Sequence, residues 1–211
     1  MQMLWWMHIS QAIRKRVFKL LNARSFKRLG RKSWIISPNS IQNPCNITIG
    51  DNVFIANNVV LATDPQSESG PCELVIGDGT LIGHFNHIYA TRRVVLGANV
   101  LTASGVYISD NLHSYDDVDQ PVLAQPIRQL KDTEIGDGSW LGHNVCIYGV
   151  RIGRNCVVGA NSVVTRDLPD FCVAVGAPAR IVRRFDPATG EWRPTSADGA
   201  FLPQTGGADD R

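Results

Sequence analysis

Residues 49–60 read I-G-D-N-V-F-I-A-N-N-V-V, two six-residue units set end to end, each opening on an aliphatic residue followed by a small one. The phrase returns as I-G-D-G-T-L-I-G-H-F-N-H at 76–87, L-G-A-N-V-L-T-A-S-G-V-Y at 96–107, I-G-D-G-S-W-L-G-H-N-V-C at 135–146 and I-G-R-N-C-V-V-G-A-N-S-V at 152–163. In all ten units the second residue is Gly or Ala, and in nine the first is Ile, Leu or Val, Thr102 being the exception. The fifth is small or β-branched except at Asn86. A period of six matches neither the 3.6 of a helix nor the two-residue alternation of a half-buried strand. It predicts a solenoid in which each unit forms a short strand and a turn, with aliphatic first residues stacked inward and three faces closing one coil.

Working outward, two stretches interrupt the period. T-D-P-Q-S-E-S-G-P-C-E at 63–73 is turn-rich, and residues 114–131, with Pro121 and Pro126, form a longer excursion. The second begins directly after I-S-D-N-L-H at 108–113, so His113 sits where the aliphatic pattern breaks. Loops that leave a rigid scaffold are where binding and catalysis concentrate. The spacing I-Y-G-V-R-I at 147–152 reads as a one-residue contraction at a corner.

The 211 residues suffice for one main domain with a real core, and 44% hydrophobic with 19% charged residues fits a soluble globular chain. Cys45, Cys72, Cys146, Cys156 and Cys172 form no C-x-x-C pair and are odd in number, which favours small, buried, reduced thiols and the cytoplasm. No stretch approaches the ~20 apolar residues of a membrane span, and the start M-Q-M-L-W-W-M-H-I-S is a poor signal peptide. Residues 1–50 hold nine Lys or Arg and no acid, while the remainder carries an acidic excess, so the overall charge of +2 conceals a basic arm on an acidic body. No nucleic-acid partner is expected. Residues 10–30 predict a basic amphipathic helix with an imperfect stripe of Ile13, Val17, Leu20, Leu21 and Phe26. It would dock on the body, capping the solenoid, or lie on the inner membrane leaflet with Leu4, Trp5 and Trp6.

With these hexads, S-D-N-L-H-S-Y-D-D at 109–117, I-G-D-G-S-W-L-G-H-N-V at 135–145, V-V-G-A-N-S-V-V-T-R-D-L-P at 157–169 and V-A-V-G-A-P-A-R-I-V-R-R at 173–184, the chain resembles the hexapeptide-repeat acyltransferases. It looks like their galactoside and maltose O-acetyltransferase branch, and most like the enzymes that modify bacterial surface polysaccharides. The resemblance implies an all-β solenoid, a left-handed parallel β-helix over 35–184, between a basic arm at 1–34 and an extension at 185–211. It implies transfer of an acetyl group from acetyl-CoA to a sugar hydroxyl, without a metal, in a homotrimer with sites between subunits. By the same resemblance His113 is the catalytic base, and Trp140 lines the acceptor and pantetheine channel. His143, Ala160, Thr165 and Arg166 hold the acetyl-CoA arm, and Arg180 and Arg183 meet its phosphates. Many relatives read D-H-x-H where this chain has D-N-L-H, so Asn111 replaces a histidine, and His143 stands where they often carry Ser or Ala.

The chemistry is consistent with that picture. A sugar hydroxyl is a poor nucleophile at neutral pH, and an unperturbed histidine, near pKa ~6.5, can take its proton and return one to the departing thiolate. No G-x-S-x-G or comparable nucleophile motif is present, which favours direct transfer over an acyl-enzyme. Asp110 and Asp116 lie near enough in sequence to orient the His113 ring, Asp110 being also a candidate substrate contact, or are solvated turn residues. His84 and Asn86 could stabilise the oxyanion at the substrate, or fill the core and a turn. Arg180, Arg183 and Arg184 suit phosphate geometry, although a surface basic cluster would look alike. Three other readings share the fold: an N-acetyltransferase of an amino sugar or antibiotic, a zinc hydratase resembling the γ-class carbonic anhydrases, and a non-catalytic scaffold. The second needs three histidines converging on zinc, and the candidates are His84, His87, His113 and His143.

Overall fold

The computed structural model describes residues 13–65 and 71–203. The chain winds as a parallel β-helix with three flat faces. Face A pairs Arg28–Leu29, Ile47–Ile49, Glu73–Ile76, Arg93–Leu96, Thr133–Ile135 and Arg151–Ile152 in that order. Face B runs from Trp34–Ile35 through Phe54–Ile55, Leu81–Ile82, Leu101–Thr102, Trp140–Leu141 and Val157–Val158 to Cys172–Val175. Face C pairs Ser40–Gln42, Val60–Thr63, His87–Ala90, Tyr107–Ser109, Cys146–Tyr148 and Val163–Val164. Every strand bonds to one a full coil away, as a six-residue period demands.

Each position of the hexad has one physical task. First residues fill the interior: Ile49, Ile55, Ile76, Ile82, Leu96, Ile135, Leu141, Ile152 and Val158 are at most 1% exposed. Second residues stand where the next coil comes closest. A Cβ on Gly77 would lie 2.5 Å from the carbonyl carbon of Gly97, and one on Gly136 2.5 Å from the Arg154 nitrogen. The fourth residue of every unit has positive φ, and it is Asn or Gly in nine of them; Phe85, at φ 58°, is the tenth. Polar fifth residues bridge to the coil above. The Ser33, Thr80 and Ser139 hydroxyls donate to the carbonyls of Gly50, Gly97 and Gly153, and accept from the amides of Val53, Val100 and Cys156.

The two exceptions to the repeat turn out to be one feature. Asn86 is 1% exposed; its Nδ2 donates to the Ala103 carbonyl and its Oδ1 accepts from the Val106 amide, the same task Thr80 performs. Its amide also donates at 3.0 Å to the hydroxyl of Thr102, the one polar first residue. Asn86 is therefore a sealed corner bridge. The expectation that it meets the substrate is corrected, because its carbonyl and amide are both engaged inside the wall.

The ends differ from expectation. The basic helix is described over residues 13–22 and stops well before 30, passing through a 3-10 turn at Ala23–Ser25 into the first strand of face A. L-G-R-K-S-W at 29–34 is a further, degenerate hexad, with Lys32 at φ 55° in its fourth position, so the solenoid starts before 35. The helix does cap the body. Phe18 packs against the core, the Lys19 ammonium donates to the carbonyls of Gly30 (2.9 Å) and Ser33 (3.2 Å), and Phe26 is buried under it. Residues 4–6, the expected aromatic anchor, lie outside the described residues. At the other end Arg180–Asp186 folds back antiparallel on Cys172–Val175 and is joined by Glu191–Pro194, so face B continues through the 184/185 boundary. Cys72, Cys156 and Cys172 are buried as expected, whereas Cys45 is exposed.

The long excursion leaves face C as a two-stranded hairpin, Asn111–His113 against Ile127–Gln129. Its root is Asp110, which is fully buried. The carboxylate accepts from the Thr91 hydroxyl and from the backbone amides of Thr91, Arg92 and Arg93, as well as from the Asn111 side chain, at 2.7–3.0 Å. Gln129 Nε2 and Thr133 Oγ1 close the base on the carbonyls of Asp110 and Ser109. Asp110 is thus an anchor beneath the site, which corrects the expectation of a substrate contact or an orienter of the His113 ring. Desolvation alone would raise its pKa, but the hydrogen bonds from Thr91, Asn111, Arg92 and Arg93 outweigh it and hold the carboxyl below the usual aspartate value.

Two outcomes are expected. Asn86→Val or Thr102→Val alone should cost about 1–3 kcal/mol in urea denaturation, since each strands a buried polar partner, whereas the double variant restores the aliphatic pattern and should cost less than the sum. Strict additivity would show that the pair is not coupled. Asp110→Asn should also cost about 1–3 kcal/mol at neutral pH. Because the folded pKa is depressed, the carboxylate contributes fully above its unfolded value of ~3.9 and the contribution is lost as pH falls through the lower folded value. Wild-type stability should therefore drop more steeply than that of Asp110→Asn below pH ~4; parallel curves would remove Asp110 from this role.

Candidate active site

The sixth residue of each hexad points outward, and alternate units place it on different faces. On face B, register stacks Phe54, Leu81, Leu101 and Trp140, at 36–48% exposure, into an apolar row. On face C the same position stacks Val60, His87, Tyr107, Cys146 and Val163. Face A is crossed instead by an ionic ladder, Lys27–Glu73–Arg93–Glu134–Arg151.

Face C carries the only described concentration of rings that lies beside His113. His87 and Tyr107 are 5.2 Å apart between centroids, and Tyr107 and Tyr148 5.4 Å. The Tyr89 hydroxyl donates to Asp64 at 3.1 Å. The hairpin strand carrying His113 overhangs these rings and encloses a cavity of about 490 Å³ lined by His113, His87, Tyr89, Tyr107, Tyr148 and Gln42 among others. His113 is exposed there, paired across the hairpin with Ile127. Partial burial lowers the His87 pKa below the ordinary histidine value, although the residue stays exposed along one side. A second cavity of about 530 Å³ adjoins toward the C-terminal coils, lined by Lys131, Gly149, Thr165, Arg166 and Asp167. Leu112 and Tyr148 border both, so face C holds one two-part groove with His113 in one half and cationic side chains in the other.

The sequence-derived candidates distribute unevenly over this geometry. His113, Thr165 and Arg166 line the groove. His143 and Ala160 are exposed one coil apart at the corner between faces B and C, joined by the bond from the Asn161 amide to the His143 carbonyl. Arg180 follows the turn whose Gly176 carbonyl and Ala179 amide bond to Val163 of face C, while Arg183 lies farther along face B opposite Val173. Trp140 is on face B and does not line the cavity of its own His113. Asn86 and Asp110 lie beneath the surface. Among the described residues no group of three His, Cys, Asp or Glu side chains converges as a metal site. Tyr89, Tyr107 and Tyr148 were not singled out from the sequence, and His87 was named there only as a candidate zinc ligand. Reading the sixth hexad position in alternate units would have found His87 and Tyr107; Tyr89 and Tyr148, two residues farther along strands paired through Ser109, follow only from the register.

Comparison with known proteins agrees with this architecture. The repeat family described as the hexapeptide repeat of succinyl-transferase matches residues 39–62 and 133–166. The chain is 35% identical over 118 residues to the putative lipopolysaccharide biosynthesis O-acetyl transferase WbbJ of Escherichia coli (strain K12), covering 53% of this chain and 60% of that protein. Across the first curated relatives the matches span about a third to two thirds of the relative's length. Among solved structures, a point mutant of the N-acyltransferase AntD from Bacillus cereus, in complex with dTDP and coenzyme A, superposes with a TM-score of 0.68 at 21% identity, over 81% of this chain and 90% of its own. The hexapeptide-repeat acetyltransferase VCA0836 from Vibrio cholerae, complexed with acetyl-CoA, superposes with a TM-score of 0.54 at 26% identity, over 79% and 75%. Coil, repeat and likeness agree on the fold: the chain carries hexapeptide repeats and folds as the left-handed parallel β-helix that these solved acyltransferases share.

Proposed function

We propose that the protein is an acetyl-CoA-dependent O-acetyltransferase acting on a hydroxyl of a sugar or surface-polysaccharide precursor. The observation that carries the reading is His113 overhanging an aromatic cavity on a hexapeptide β-helix. Acetyl-CoA, the co-substrate, supplies the acyl group as an activated thioester. His113 takes the acceptor proton as the hydroxyl oxygen bonds to the acyl carbon, and delivers it to the sulfur as the carbon–sulfur bond breaks. The His87, Tyr107 and Tyr148 rings offer a flat floor for the apolar face of a pyranose, with Gln42 and the Tyr89–Asp64 pair as polar partners for its hydroxyls. Lys131 and Arg166, in the adjoining half, provide positive charge for the phosphorylated end of the donor. The name of WbbJ, an O-acetyl transferase of lipopolysaccharide biosynthesis, supports a glycan acceptor, and the acetyl-CoA complex of VCA0836 supports the donor. Free thiols fit a reducing compartment such as the cytoplasm.

The working assembly in this reading is a homotrimer. Among the described residues no element covers the apolar row Phe54, Leu81, Leu101 and Trp140 on face B, and a cyclic arrangement lets the face B of one copy meet the groove side of the next. Trp140 would then reach a neighbour's His113. Phe85, 63% exposed at the adjoining corner, keeps a left-handed backbone that costs a side chain about 1–2 kcal/mol, an expense consistent with a contact made outside its own coil.

His113→Ala and His113→Asn should both fold and lose at least about 10²-fold in kcat, the usual worth of a general base. Turnover of an identified acceptor is followed by acetyl incorporation in mass spectrometry, and a variant with near wild-type turnover would leave His113 an ordinary loop residue. Light scattering should return three times the chain mass, and Leu101→Glu should shift the population toward monomer with parallel loss of activity. A fully active wild-type monomer would refute the trimer.

A further inference from the structure

The helix at residues 13–22 caps the solenoid with one side only. Phe18 packs on the core, Lys19 bonds to Gly30 and Ser33, and the ammonium groups of Lys15 and Lys19 lie over the Trp34 ring at 4.9 and 5.3 Å. The opposite side is apolar and faces outward. Ile13, Val17, Leu20 and Leu21 are 55%, 46%, 84% and 72% exposed. At 3.6 residues per turn these four fall within an arc of about 100°, with Arg14 on one edge and Arg16 on the other. Docking therefore accounts for Phe18 and the two lysines, and among the described residues leaves the rest of the helix's apolar content without a packing partner.

We infer that this outward stripe is a docking surface for an anionic lipid bilayer, with the solenoid held against the membrane by its N-terminal end. An apolar stripe edged by guanidinium groups is the pattern of a helix lying in the interfacial plane. The electrostatic setting selects the occupant: the sequence holds nine Lys or Arg and no acid before Asp51, and although Lys27, Arg28 and Arg31 pair with Glu73 and Asp51, the cap keeps a net positive charge. A second copy of the same helix is disfavoured, because pairing the stripes would bring Arg14 and Arg16 of both copies together. Packed against the prism, the helix is already ordered, so docking carries no folding cost. In a cyclic trimer all three helices stand on the same side of the plane normal to its axis, and three weak contacts add by avidity. The groove on face C is separate from this surface, so the inference does not depend on the chemistry proposed for the groove.

Flotation of the full chain with vesicles of phosphatidylglycerol and phosphatidylcholine, against phosphatidylcholine alone, tests it. Binding is expected to the anionic vesicles only, to weaken as salt rises, and to fall at least about tenfold in Leu20→Glu/Leu21→Glu and in Arg14→Glu/Arg16→Glu. Circular dichroism and light scattering on both variants check that fold and particle mass are unchanged. Absence of wild-type flotation at low salt, or equal flotation of wild type and the leucine pair, overturns the inference. A change of particle mass caused by the leucine pair without vesicles assigns the stripe to a second copy and overturns it as well. Acyl transfer is read separately, so flotation failing leaves the enzymatic reading standing, and the reverse.

Discussion

The structure rests on how closely one coil must lie on the next. Parallel strands bond at a spacing of about 4.8 Å, and the second hexad position has room for nothing larger than Gly or, in two units, Ala. A methyl group on Gly77 or Gly136 would sit 2.5 Å from the atoms above it. The small second residue is therefore the condition for every strand pair on the three faces. Once it is met, the first residue has only one place to go, inward, and the ladder of Ile, Leu and Val follows. The left-handed fourth residue turns the corner, where Asn and Gly pay least for positive φ.

A wall this regular leaves freedom only at its outward positions and where the chain departs from it. The three faces use that freedom differently. Face A is covered by an ionic ladder suited to water, face B by an apolar row suited to a protein neighbour, and face C by rings suited to a ligand. These surfaces arise from one outward letter in each repeat and cost the core nothing. The hairpin on face C needs more, and Asp110 supplies it. A buried carboxylate engaged by three consecutive backbone amides fixes both the corner below and the strand above, so His113 is held by the fold though its own side chain is exposed.

The repeat is also tolerant in a specific way. Asn86 and Thr102 each break the pattern, yet they meet across one coil and satisfy each other. The same chemistry appears singly at Thr80 and Ser139, where a hydroxyl replaces an aliphatic fifth residue and bridges to the coil above. A polar residue inside this prism is therefore a link between coils, and burial rather than reactivity explains it.

Sequence alone determined the solenoid, its three-faced coil, the two excursions and the placing of His113 at the root of the longer one. It could do so because these are local: six consecutive residues carry the whole specification of strand, corner and inward side chain. The first coil was hidden because Lys32 occupies the left-handed corner where Asn or Gly normally announces it. Tertiary structure decided what meets what across coils. His87 and Tyr148 are 61 residues apart yet share a cavity, because the long excursion is looped out and their strands flank Tyr107–Ser109 on face C. Only that packing could turn Asn86 and Asp110 inward, carry Trp140 to a different face from His113, and set Phe18 half-buried against the core while leaving Leu20 and Leu21 facing out. The period names the side of the wall a residue is on; contact between coils decides whether water, protein or ligand lies beyond it.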